Sequence, residues 1–156
     1  MADGTTPTTY YVAACGARKL AHPAPAALLY TGSARLVIDS AAGEAARDDA
    51  ELLILSALHG LIPARKVIAP YDVRMGQAGS ITVEALADQL LTLGAGSLYA
   101  FCPKAYRLAL CQAAEIVNDR LDEDRVIVHD VFEAAPGIGY QRGVATSINR
   151  TAHLFT

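Results

Sequence analysis

The chain lacks tryptophan, has three cysteines, and is only 6% aromatic over 156 residues. Three is an odd number, and Cys15, Cys102 and Cys111 stand at spacings that make neither a zinc site nor a redox pair. A disulfide framework is excluded as the basis of the fold, and a reducing cytoplasm is the expected compartment. A positive balance is lacking too: 13 Lys and Arg face 16 Asp and Glu, for a net charge of -3. That argues against broad, nonspecific binding to nucleic acid while leaving room for a local basic groove. No apolar run approaches the length that crosses a bilayer. The opening Met1-Ala2-Asp3-Gly4-Thr5-Thr6-Pro7 has no basic region followed by an apolar stretch, so no secretion signal is expected. His22, His59, His129 and His153 are scattered, and neither Cys-x-x-Cys nor His-Glu-x-x-His occurs. No metal and no cofactor are expected. Internal repeats and low-complexity linkers are also missing.

What is present is a chain 53% hydrophobic, much of it alanine. Its length suits one domain with a real core. We read a flexible N-terminus over 1–8 and a single domain over 9–156. Short apolar runs at 10–14, 52–57, 98–101 and 126–131 read as strands. Helical patterns lie between them. One runs from Ala26, just after Pro23-Ala24-Pro25, to about 46, with Leu29, Leu36 and Val37 on one face. One is capped by Thr82 and runs to about 93, with Leu86, Leu90 and Leu93 aligned. One is opened by Pro103 and runs to about 118, with Tyr106, Leu110, Ala113 and Val117 aligned. A turn at 136–139 and a final helix at about 140–152 complete the pattern. Strands separated by helices imply right-handed crossovers. The expected fold is a three-layer α/β/α domain with a mainly parallel sheet of at least four strands.

In such sheets, ligands bind beyond the carboxyl ends of the strands. Two strands end in polar groups: the first in Cys15-Gly16-Ala17-Arg18-Lys19, the second in Ser56, His59 and Gly60. Gly16 allows a tight turn or close approach to a ligand. Lys19 suits a phosphate or carboxylate. Against this, Cys15 also reads as a small core residue and Arg18-Lys19 as solvated. His59 suits proton transfer, or equally a turn cap. No Gly-x-Ser-x-Gly elbow surrounds Ser56, which argues against a hydrolase triad. Tyr71-Asp72 follows Pro70. A ring beside a carboxylate suits a nucleobase, and an Asp can stabilise or attack a cationic sugar centre. A turn-forming Asp beside a half-buried Tyr is the plainer reading. Gly137-Ile138-Gly139, with Gln141 and Arg142 after it, suits a phosphate at a helix start or a simple turn.

Five segments, in order, resemble a poorly characterised domain family of bacteria and phages, itself distantly similar to the peroxide-stress protein YaaA. They are Cys15-Gly16 with Lys19, Pro25-Ala26 with Leu29-Tyr30, Ile54-Leu55-Ser56-Ala57-Leu58-His59-Gly60-Leu61, Pro70-Tyr71-Asp72, and Gly137-Ile138-Gly139 with Gln141. One extra residue before Leu29-Tyr30 departs from the pattern and touches no site residue. The resemblance implies an α/β protein associated with nucleic acid, nucleobases or DNA modification; YaaA is linked to DNA binding under oxidative stress.

Two expectations follow. In the first, the chain is an enzyme acting at the N-glycosidic bond of a nucleoside, nucleotide or DNA, by hydrolysis or base exchange. Asp72 and His59 are then catalytic, and Cys15, Gly16, Lys19, Ser56, Gly60, Tyr71, Gly137, Gly139 and Gln141 bind substrate. In the second, it is a non-catalytic DNA- or nucleotide-binding accessory module. Either leaves a homo-oligomer open and involves no membrane.

Overall fold

Seven uncharged residues, Thr8–Ala14, form strand β1 in a computed structural model that describes residues 6–132. β1 is central. It pairs in parallel with β3 (Glu51–Ser56) on one side and β6 (Ala95–Phe101) on the other, and β6 pairs in parallel with β7 (Ile127–Asp130). A short strand, β4 (Gly60–Pro63), folds back antiparallel on β3. The five-stranded order is β4-β3-β1-β6-β7, parallel except at the β4 edge. Ala24–Pro25 (β2) and Val67–Ile68 (β5) make a separate two-stranded antiparallel pair. The mainly parallel α/β sheet expected from the sequence is present. The expectations for the N-terminus fall partly, and those for the turn and final helix after 132 fall wholly, outside the described residues.

Strand periodicity divides the core. Tyr10, Val12 and Ala14 pack in one buried cluster with Leu86 and Leu90 of α3 (Val83–Leu93) and Leu110 and Val117 of α4 (Lys104–Leu121). Tyr11, Ala13 and Cys15 pack in a second with Leu29 of α1 (Ala26–Leu29) and Ile38 and Ala41 of α2 (Ser33–Arg47). Thr82 caps α3 as its sequence position suggests, its Oγ1 accepting the Ala85 N–H at 3.1 Å. From β1 the chain moves first to β3 on one side, then crosses to β6 on the other. The strand order therefore reverses between β1 and β6, which places a crevice at their carboxyl ends.

The single helix expected over 26–46 is a correction: the chain makes two helices. Tyr30 leaves the helix to form an antiparallel bridge with Lys19, and Gly32 takes a left-handed φ of 71°. The break resets the helical phase. Leu29 and Val37 are buried, whereas Leu36 is 53% exposed. Strand β4 is a second difference, since it is not among the strands expected from the sequence.

Glu44 in α2 is buried, and its Oε1 has no hydrogen-bond partner among the described residues, with Arg47 Nη1 at 3.7 Å. Burial pushes its carboxyl up, Arg47 pulls it down and Asp48 adds to the rise. A raised carboxyl loses stability as pH climbs from the ordinary carboxylate range through the raised value. Glu44→Gln should therefore gain about 1 kcal/mol at neutral pH. The gain should disappear below about pH 4, where the carboxyl is protonated folded and unfolded alike. Urea midpoints at both pH values would show it; an equal change at both would reject the charge as the cause.

Candidate functional site

The crevice between β1 and β6 opens into a cavity of about 530 Å³. Its wall combines the loop after β1, the start of α2, the end of β6, the start of α4 and the segment 72–75. The loop lies tight against α2 because position 16 has no side chain. A Cβ on Gly16 would stand 2.6 Å from the Ala34 Cβ. Phe101, Tyr106 and Phe132 supply aromatic wall, and Arg18, Lys19, Asp72 and Arg74 supply charge.

Beside the cavity lies a network of hydroxyls. Ser56 is fully buried at the end of β3. Its Oγ accepts the N–H groups of Leu58 at 3.2 Å and His59 at 3.0 Å, and donates to the Tyr71 hydroxyl at 2.6 Å. The hydroxyls of Tyr71 and fully buried Tyr30 are also 2.6 Å apart. Tyr71 thus pins the segment that carries Asp72 and Arg74 into the cavity wall. Lys19 Nζ stands 4.7 Å from the Tyr71 ring centroid and 5.7 Å from that of Tyr30, in the range of cation–π attraction. The His59 ring meets Tyr71 edge-on at 5.6 Å.

Burial pushes the Tyr30 hydroxyl up to about 12 and the Tyr71 hydroxyl higher still. Burial, then the bond to Cys15, raises that of Tyr106, whose oxygen takes the Cys15 thiol proton contact at 3.2 Å. All three phenols are therefore protonated at neutral pH and are not bases there. Asp72, exposed on the wall, is the carboxylate among the cavity residues. Cys102 is buried on the other side of the sheet, its Sγ 3.7 Å from the Val12 carbonyl, and burial raises its thiol. It is not among the residues that line the cavity.

Ser56→Ala tests the network. It orphans two backbone N–H groups and one Tyr71 contact, and should cost about 2 kcal/mol in chemical denaturation. An unchanged midpoint would show that water replaces the hydroxyl freely.

Of the residues singled out in the sequence, Cys15, Gly16, Lys19 and Asp72 line the cavity together. Ser56 and Tyr71 lie directly behind it. His59 is exposed and is not among the residues that line the cavity, its backbone bound to Ser56 and to Gln89. Gly60 opens β4 with φ 75° and is packed against Gln89 and Ile81 rather than the cavity. The face of Tyr71 offered for base stacking is taken up by Lys19. Gly137, Gly139 and Gln141 lie outside the described residues.

Arg74, Ser33, Phe101, Tyr106 and Phe132 were not singled out as site residues. The signal available for Arg74 was its place two residues after Asp72. Tyr106 was visible only as part of a helical core stripe. Among the described residues no three His, Cys, Asp or Glu side chains are grouped to hold a metal ion. No helix of the described residues is long and apolar enough to cross a membrane.

No curated protein and no solved structure matches the chain. One family model, described as a family of unknown function, matches residues 10–124. That span runs from β1 through α4 and takes in Cys15, Lys19, Asp72, Arg74 and Tyr106.

Proposed function

The chain belongs to that family, DUF6884, and on this premise we propose that it acts on a nucleoside or nucleotide at the N-glycosidic bond. The observation that supports the reading most is one cavity holding an aromatic wall, cations and a carboxylate at the point where strand order reverses. A flat base fits against Phe101, Tyr106 and Phe132. Asp72 then faces the sugar. As the C1′–N bond breaks, its electron pair leaves with the base, and positive charge grows on the sugar. The Asp72 carboxylate stabilises that charge, or attacks C1′ to form a glycosyl ester. Water resolves the ester in hydrolysis, and a second base resolves it in exchange. His59 reaches the departing base only if the ligand extends across Tyr71; otherwise the base takes its proton from solvent.

Several finer readings accompany this one. The division of β1 side chains between two clusters supports a three-layer α/β/α arrangement. A distant kinship with YaaA and a cytoplasmic location complete the proposal.

The second reading is a nucleotide- or DNA-binding module without turnover. The position of His59 outside the cavity wall favours it, since among the described residues no histidine then lines the cavity beside the carboxylate. A panel of nucleosides, nucleotides and single-stranded DNA, assayed for free base by chromatography, separates the two. Base release supports the enzyme. Binding without release from any member supports the module.

A further inference from the structure

We propose that the cavity takes a ligand ending in a phosphate monoester, a single nucleoside 5′-monophosphate, with its phosphate between Arg18, Lys19 and Arg74. The inference rests on the nucleotide reading above and specifies its substrate class.

Charge carries it. The whole chain is net -3. The cavity wall has three cations, Arg18, Lys19 and Arg74, against one anion, Asp72. A cavity of net positive sign in an acidic protein focuses field on an anion. Of the described arginines outside the cavity, Arg35 pairs with Asp39, Arg47 with Glu44, Arg107 with Asp130, Arg120 with Asp88 and Arg125 with Glu123, while exposed Arg65 is in none of the ion pairs. The three cavity cations take part in none of the ion pairs found among the described residues. Two of them have contacts that hold them in place. The Arg18 stem lies across Gly32, where a Cβ would meet its Cδ at 3.1 Å, and Lys19 is held over the two tyrosine rings. Asp72 and Arg74 lie two residues apart on the segment that the Tyr71 hydroxyl anchors, and both line the cavity.

Size and charge select the monoester over a polymer. A volume of about 530 Å³ lies within the roughly 300–1,000 Å³ of small-molecule sites. Strand binders instead carry a long basic groove lined with aromatics. A phosphate monoester bears a charge of about −1.5 to −2 near neutrality, against about −1 for each backbone diester. Three cations around one phosphate suit the former.

The test is calorimetric titration of the purified full chain with the four 2′-deoxynucleoside 5′-monophosphates, the four nucleosides and a 12-residue single strand with a 5′-hydroxyl. At least one monophosphate should bind about 30-fold or more tightly than its nucleoside, and more tightly than the strand. That preference should shrink as salt rises, which is read on the wild-type chain. Arg18→Ala and Lys19→Ala should each weaken monophosphate binding by about tenfold more than they weaken nucleoside binding, with thermal unfolding confirming the fold. Equal affinity for nucleoside and monophosphate, tighter binding of the strand, or no binding of any monophosphate overturns the inference. Base release from nucleosides as fast as from monophosphates removes the phosphate inference and keeps the glycosidic one. Tight monophosphate binding without base release does the reverse.

Discussion

Asp72→Asn is expected to lower base release by about a hundredfold or more, or about 2.7 kcal/mol of transition-state stabilisation. Asparagine keeps the size and polarity of the side chain and removes its charge. Only the charge distinguishes a cationic sugar from a neutral one, so the loss should appear in kcat and kcat/KM together, with little change in substrate affinity. Asp72 is exposed and the segment around it is anchored through Tyr71 rather than through the carboxylate. The variant should therefore fold as the wild type does. Turnover that survives the substitution would leave Asp72 as a turn residue and remove the glycosidic mechanism.

Gly60→Ala should cost about 3 kcal/mol of stability while leaving ligand affinity of the folded fraction unchanged. Its φ of 75° lies in the left-handed region, where a side chain adds about 1–2 kcal/mol. The new methyl would also collide with Ile81 and with the Gln89 carboxamide. That carboxamide accepts the Leu61 N–H at 2.8 Å and donates to the His59 carbonyl at 3.0 Å. Displacing it forfeits two hydrogen bonds of about 1 kcal/mol each. Denaturant titration measures the loss, and titration with a bound nucleotide measures the affinity. A drop in affinity with little loss of stability would mean that Gly60 serves the ligand after all.

The parallel strands were legible because β1 and β3 are buried on both faces. Val12, Ala13, Leu53 and Ile54 leave no polar alternation to confuse them with surface segments. The position of Cys15 and Lys19 followed from that, since a strand end in a parallel sheet fixes which rim its loop occupies. The break at Tyr30 was hidden because Thr31-Gly32-Ser33 carries no proline, and a lone glycine in a helical pattern is tolerated. β4 was hidden by its length: four residues ending in Pro63 give too little alternation to read. The pairing of Ser56, Tyr71 and Tyr30 joins residues 15 and 41 positions apart in the chain, and no local pattern encodes a contact of that kind. The same holds for the distribution of charge. A net value of -3 averages away a wall on which three cations meet.

β4 also bears on how the molecule behaves in a crowded solution. An unpaired strand at the margin of a sheet can template growth by a second chain. Here that margin is four residues long, ends in Pro63, and is followed by exposed Arg65 and Lys66. The proline offers no N–H to an incoming strand, and the two cations repel their counterparts on another copy. The hairpin that delivers the turn after Ser56 thus also guards that flank against polymerisation.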